Sequence, residues 1–86
     1  MSVFLQWFET FLEEKNLPVA HWNITASDGT EHVIDSEVVI EAIKTAPAHE
    51  QAEIKTTIVK IDSLNGDVNH FFRHLATALV ENYSAA

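Results

Sequence analysis

The chain has 86 residues, of which five are basic and thirteen acidic, and it contains no cysteine. This length predicts one small domain over residues 1–86. The net charge of −8 weighs against direct binding to nucleic acid or to anionic membranes, because phosphate contacts need clustered lysine and arginine. The absence of cysteine excludes disulfide frameworks, thiolate nucleophiles and thiolate metal sites.

Two features of the sequence predict a soluble, cytoplasmic protein. The N-terminal residues 1–4 lack the basic start and long apolar centre of a signal peptide. The longest uninterrupted apolar runs have three residues, far short of a membrane span. The acidic residues are also unevenly placed, since residues 1–46 carry eight of the thirteen acids and two of the five bases.

The first predicted helix covers about residues 2–15 and carries an aromatic stripe. Its apolar residues recur at spacings of three and four: Phe4, Trp7, Phe8, Phe11 and Leu12. Ser2 is the expected N-cap, and Asn16 is the expected left-handed stop. The stripe is the predicted core face. The alternative is that part of it, at Trp7 and Phe11, anchors a partner, because aromatic residues are enriched at interfaces.

The next segment changes to a period of two, which predicts a short β-hairpin over about residues 21–26 and 31–34. Apolar residues alternate with polar ones at Trp22, Ile24 and Ala26. Asp28 and Gly29 lie between the two runs and predict a type I′ turn, in which both central residues have positive φ. We expect Trp22 and Ile24 to face inward, because two strands alone are marginal in water.

Two helices are predicted after the hairpin. The second helix covers about residues 37–45 and is capped by Asp35 or Ser36. The third covers about residues 47–63 and begins at Pro47, which suits a first helical position. Their buried seams are Val39, Ile40 and Ile43 in the second helix and Gln51, Ile54, Ile58 and Ile61 in the third.

The fourth helix has the clearest apolar pattern of the chain. Asn65 and Gly66 predict a left-handed turn, Asp67 the N-cap, and residues 68–82 the helix, followed by a frayed tail at 84–86. The stripe runs through Val68, Phe71, Phe72, Leu75, Ala76, Leu79, Val80 and Tyr83. Phe72 and Leu75 occupy its middle and are predicted to lie at the centre of the core. The elements together predict a small, mostly helical α+β domain, in the order helix, hairpin, three helices.

Histidines supply the weak candidates for chemistry. His70 and His74 lie four residues apart on the polar face of the fourth helix, with Glu81, and can share a metal ion. That site is incomplete, and the sequence contains no zinc-protease motif. His21 and His32 are expected to face each other across the hairpin. No nucleophile motif and no phosphate-binding glycine loop is present, so the sequence predicts neither an enzyme nor a cofactor.

Binding of another protein is therefore the expected function. The sequence favours a non-catalytic, acidic protein-interaction module, whose negative field would steer a basic partner. The candidate binding residues are the aromatic anchors Trp7 and Phe11 and the steering acids Glu9, Glu13, Glu37 and Glu41. Self-association through Trp7 is a further expectation. The alternatives are an acidic decoy that occupies the nucleic-acid-binding groove of another protein, and a metal binder that uses His70 and His74.

Overall fold

Four helices and one antiparallel hairpin make up the computed structural model, which describes residues 2–17 and 19–85, with only the backbone at 83–85. The elements are α1 (Val3–Lys15), β1 (His21–Thr25), β2 (Glu31–Asp35), α2 (Ser36–Thr45), α3 (Ala48–Ser63) and α4 (Val68–Ala85). The predicted class and element order are confirmed. Within the described ranges, no helix combines the length and the apolar character needed to cross a membrane.

Local capping chemistry sets both ends of α1, as predicted. The Ser2 hydroxyl accepts a hydrogen bond from the Leu5 N–H at 3.1 Å and so satisfies one free donor of the first turn. Asn16 has a φ of 46° and donates its N–H to the Leu12 carbonyl at 3.1 Å. The left-handed residue closes the last turn and ends the helix.

Asp35, the first of the two residues predicted as candidates, caps α2. Its carboxylate accepts from the Val38 N–H at 3.0 Å. Ser36 is buried and forms a pair of hydrogen bonds with Ala20: its hydroxyl accepts from the Ala20 N–H at 3.2 Å, and its own N–H donates to the Ala20 carbonyl at 2.9 Å. These two hydrogen bonds hold Ala20, the residue before β1, against the first residue of α2.

The corner between α2 and α3 uses a side chain that the periodicity places in the core. Gln51 donates its amide to the carbonyls of Ile43 and Lys44, at 3.3 and 3.2 Å. These carbonyls belong to the last turn of α2, where the regular helical hydrogen bonds end. The Ile43 carbonyl also accepts from the N–H of the C-cap residue Ala46 at 3.3 Å. Pro47 occupies the N-cap position, one residue before α3, and not the first helical position that the sequence predicts; its side chain makes no capping hydrogen bond.

The turn into α4 also follows the prediction. Asn65 has a φ of 57°, and the Gly66 N–H donates to the Ile61 carbonyl at 2.8 Å. The Asp67 carboxylate accepts from the Asn69 N–H at 2.9 Å and caps the helix. Helix α4 continues to Ala85, past its predicted end at residue 82. The last residue of the expected tail, residue 86, lies outside the described residues.

The hairpin exists, but its predicted type I′ turn is wrong. The Gly29 N–H donates to the Ala26 carbonyl at 2.9 Å, and the Ala26 N–H donates to the Thr30 carbonyl at 2.8 Å. The loop therefore has three residues, and within it positive φ occurs at Gly29 (89°) and not at Asp28. The Asp28 carboxylate accepts from the Thr30 N–H and hydroxyl, at 3.0 and 2.6 Å, which favours this wider loop.

The expected contact between His21 and His32 is also wrong. His21 pairs with Asp35 at the open end of the hairpin, whereas His32 pairs with Ile24 near the loop. Antiparallel pairing places the first residue of one strand opposite the last residue of the other, so the two imidazoles lie at different ends. His32 instead lies 3.0 Å from the Thr30 hydroxyl through Nε2.

Hydrogen bonds from Thr30, first from its hydroxyl and then from its N–H, hold the pKa of Asp28 below its ordinary value of 3.8. A lowered folded-state pKa means that this carboxylate stabilises the hairpin above pH 3.8 and that the effect is lost as pH falls through the folded pKa. A carboxyl-detected NMR titration should show Asp28 titrating below 3.8. Thr30→Val should raise its pKa, and Thr25→Val, outside the loop, should not. Titration at or above 3.8 in the wild type would contradict the geometry.

The core forms where α4 meets α1, α2, α3 and the inner face of the hairpin. Its buried apolar residues are Phe8, Phe11, Ile24, Ala26, Val39, Ile43, Ile58, Val68, Phe72, Ala76 and Val80. The inward position of Ile24 is confirmed, and Trp22 packs partly buried against the core. Phe72 is 1 % exposed, as predicted for the middle of the stripe, whereas Leu75 is only partly buried.

Glu81 fastens the hairpin loop to α4, although the helical pattern places it on the solvent face with His70 and His74. Its two carboxylate oxygens accept from the Ser27 N–H at 3.0 Å and from the Ser27 hydroxyl at 2.8 Å. The two residues lie 54 positions apart in the chain. The loop is therefore held to the last turns of the longest helix.

Removal of the two hydrogen bonds between Ser27 and Glu81 should destabilise the hairpin loop more than the rest of the fold. Glu81→Ala should lower the free energy of unfolding by about 1 kcal/mol, below the usual range of about 1.5–3 kcal/mol for hydrogen bonds to a charged group because the site is partly solvated. Amide exchange should accelerate in the loop and hardly change in α3. Glu53→Ala, at an exposed position of α3, is the matched control and should leave the loop protected. Equal rates of amide exchange in the hairpin loop of the two variants would show that the hydrogen bonds between Ser27 and Glu81 are not formed in solution.

Candidate protein-interaction surface

The basic side chains concentrate on the side of the molecule where α1 lies. The Lys15 ammonium is 2.7 Å from an Asp62 carboxylate oxygen, and the Lys44 ammonium is 3.8 Å from a Glu9 carboxylate oxygen. Lys55 places its ammonium 5.3 Å from the centre of the Trp7 ring. Three of the five basic residues therefore either belong to α1 or contact one of its side chains.

The two predicted aromatic anchors have different surroundings. Trp7 is partly buried; its ring centre lies 5.8 Å from that of Phe4 and 5.5 Å from that of Phe11, and Lys55 covers it. Phe11 is 7 % exposed and belongs to the core. The stripe of α1 is thus mainly a packing face, and the anchor hypothesis for this helix depends on Trp7.

Three of the four predicted steering acids are exposed to solvent. Glu13, Glu37 and Glu41 are exposed, and in the described part of the chain none of them has a cationic group within 4.0 Å. Glu9 is partly buried and pairs with Lys44. Unpaired surface carboxylates add their fields over distances near the Debye length, about 10 Å at 0.1 M salt. The exposed acids therefore contribute to the negative field of the molecule, and none of the three is paired with a cation in the described structure.

An apolar groove lies on the face formed by α2, α3 and α4, and we call it the α2–α4 groove. It consists of two adjoining clefts of about 270 and 370 Å³, which share Ala42 and Leu79. Its lining residues are Val38, Val39, Glu41, Ala42, Ile43, Thr45, Ala46, Glu50, Ile54, Leu75, Ala78, Leu79 and Asn82. Most of them are apolar, and the two charged ones are both glutamates.

Small side chains explain why this groove stays open. Ala42, Ala46 and Ala78 occupy positions that face the space between the three helices, and they are too short to fill it. Leu75 and Leu79 are consequently left partly exposed to the groove. The apolar pattern of the sequence did not reveal this surface, because periodicity does not show where neighbouring side chains are too short to cover a stripe. The available signal was the presence of alanines in the same face as the large apolar residues.

The candidate metal residues His70 and His74 border a different depression, of about 480 Å³, together with Ile61, Asp67 and Phe71. The Asp67 carboxylate already accepts the Asn69 N–H as the cap of α4. Across residues 2–17 and 19–85, no three histidine, aspartate or glutamate side chains converge as a metal site would require. The pair of histidines can supply two ligands, and a metal ion would need others from elsewhere.

Comparison of the chain with protein-family models, with curated proteins and with solved structures finds no match. The surface features that bear on function are exposed acids without a paired cation, an apolar groove bordered by glutamates, and a partly buried tryptophan beneath a lysine.

Proposed function

We propose that this chain is a small, acidic, non-catalytic module that binds a basic protein partner, and that it does so in the cytoplasm. The observation that carries the proposal is the set of unpaired acids on its surface. The exposed acids Glu13, Glu37 and Glu41 have no cationic group within 4.0 Å in the described structure. Two of the lysines are paired with other acids, and a third covers the Trp7 ring. Such a surface attracts a positively charged protein before contact is made.

The charge and the apolar surface would act on different steps of binding. Exposed acids at the edge of an interface mainly raise the association rate, and salt screens their effect. Apolar contacts made after docking mainly set the dissociation rate. The module should therefore associate more slowly at high salt and still keep a slowly dissociating complex.

The same negative field supports one alternative, an acidic decoy that occupies the nucleic-acid-binding groove of another protein. A decoy would replace phosphate contacts by carboxylate contacts, so its affinity would fall steeply with salt. An interaction module with apolar contacts would lose only part of its affinity. Salt dependence therefore separates the two functions.

A charge-neutral variant with a charge-preserving control tests the proposal. The wild-type chain is used to capture a partner from an extract of its native host, and binding kinetics are measured with that partner at two salt concentrations. Glu31, the first residue of β2, is a further exposed acid. Glu13→Gln/Glu31→Gln/Glu37→Gln should slow association by about threefold to tenfold at low salt and leave dissociation nearly unchanged. The matched variant Glu13→Asp/Glu31→Asp/Glu37→Asp should behave like the wild type.

Several results would reject the proposed function. The host extract would yield no specific basic partner, or the neutral variant would bind as fast as the wild type. Stoichiometric zinc retained by the untagged protein, and released by changes at His70 and His74, would favour the metal binder instead. Self-association through Trp7 is checked on the same sample by sedimentation of the wild type and of Trp7→Ala.

A further inference from the structure

We propose that the α2–α4 groove binds a basic amphipathic helix of the partner. This inference rests on the proposed function. It names the binding surface and the element of the partner that this surface recognises, neither of which the exposed acids Glu13 and Glu37 specify. It depends on three observations: the shape of the groove, the composition of its lining and the sign of its charges.

The shape and lining suit a helix. The groove runs between α2 and α4, with Ile54 of α3 at one cleft and Val38, 46 % exposed, at the other. Three alanines in the lining allow close approach of another helix, since interaxial distances of about 8–10 Å depend on the side chains at the contact. An amphipathic helix lays its apolar residues into such a groove at positions i, i+3, i+4 and i+7.

The charges require a basic helix. Glu41 and Glu50 border the two clefts, and no lysine or arginine is among the described lining residues. Lys44, which belongs to the same helix as Glu41, has its ammonium beside Glu9 and so lies against α1. A partner helix with lysine or arginine beside its apolar face would therefore meet carboxylates and no competing cation.

A second copy of this chain fits the groove less well. In a two-fold symmetric dimer the same patch faces itself, so the interface would bring together four glutamates and no lysine or arginine of the described lining. Like charges brought together at an interface oppose association, and the net charge of −8 on each chain adds to this. The glutamates that line the groove therefore favour a basic partner over a second copy of this chain.

Two synthetic peptides provide the probe. Both are helix-forming and carry leucines at i, i+3, i+4 and i+7; one has lysines beside the leucines and the other has glutamates at the same positions. Titration calorimetry should show binding of the lysine peptide and at least about tenfold weaker binding of the glutamate peptide, a ratio equivalent to about 1.4 kcal/mol. Backbone NMR shifts on adding the lysine peptide should map to residues that line the groove.

Paired variants then locate the binding. Ala78→Trp fills the groove and should lower the affinity for the lysine peptide by about tenfold or more. Ala52→Trp lies at an exposed alanine of α3 outside the groove and should change this affinity by less than about twofold. Glu41→Gln/Glu50→Gln replaces exposed groups only, so it keeps the test valid if Ala78→Trp unfolds. It should remove most of the preference for lysine over glutamate.

The possible failures are distinguishable. The inference is overturned if the lysine peptide does not bind, if both peptides bind equally, if the shifts map to Trp7 and α1, or if the groove instead mediates dimerisation that Ala78→Trp abolishes. If the host partner still binds Ala78→Trp normally but associates slowly with the Glu13, Glu31 and Glu37 variant, the proposed function stands and the groove is not its site. If no basic host protein binds while the lysine peptide does, the proposed function fails and the groove remains a site for basic helices.

Discussion

Phe72→Ala should remove about 3–5 kcal/mol of folding free energy, because it combines the loss of buried apolar surface with an unfilled cavity. The side chain is 1 % exposed and lies in the core cluster with Phe8, Val39 and Ile58. Small domains are stabilised by only about 5–15 kcal/mol in total, so the variant should lie near the limit of folding. Urea denaturation of both proteins, with the slope checked for constancy, measures the loss.

Leu75→Ala is the informative comparison for this prediction. Periodicity alone places Leu75 beside Phe72 in the middle of the stripe, but the side chain is partly exposed and lines the α2–α4 groove. Its truncation should therefore cost clearly less, near the lower limit of about 2 kcal/mol for Leu→Ala changes in cores. A loss below about 1 kcal/mol for Phe72→Ala, or equal losses for the two variants, would contradict the observed core.

The ends of the elements were predictable because short-range chemistry determines them. Ser2 and Asp67 cap helices through side-chain oxygens that reach an N–H two or three residues ahead. Asn16 and Asn65 adopt the left-handed conformation that ends a helix. Each of these signals involves residues within one turn of each other, so the sequence alone contains all the partners.

The tertiary contacts were not predictable in the same way. The bond from Ser27 to Glu81 joins a loop and a helix that are distant in sequence, and helical periodicity gives no reason to bring them together. The type I′ turn failed for a related reason. An Asp-Gly pair fits a two-residue or a three-residue loop, and the bonds of Asp28 to Thr30 favour the longer one.

The candidate site shows the same limit. Hydrophobic periodicity indicates which side of a helix is apolar, but not how much of that side a neighbour covers. It therefore grouped Trp7 with Phe11, one partly buried and one in the core. It also placed Leu79 in the apolar stripe of α4 without indicating that the alanines opposite leave this residue open to the groove. The exposed acids were easier to predict, because charged side chains rarely lose contact with water.

The hairpin loop provides the second large expected effect, Gly29→Val. Gly29 has a φ of 89°, and a Cβ added there would meet no atom within 4 Å. The cost is therefore purely conformational, about 1–3 kcal/mol for a residue held in a sparsely populated region, and high in that range for a β-branched side chain. Urea denaturation should show this loss. Gly29→Asn should lower the free energy of unfolding clearly less than Gly29→Val does, because asparagine tolerates positive φ.

Gly66→Ala should also destabilise the protein, but for a different reason that a second substitution reveals. Its φ lies outside the left-handed region, and an added Cβ would approach Ile61 Cγ2 to 2.9 Å and the Ile61 carbonyl oxygen to 3.2 Å. Ile61→Leu removes the Cγ2 branch. The double variant Gly66→Ala/Ile61→Leu should therefore lose less free energy of unfolding than the sum of the losses in the two single variants. No neighbour can relieve Gly29→Val in this way. Strict additivity at Gly66, or a stability of Gly29→Val equal to that of the wild type, would show that the turns rearrange in solution.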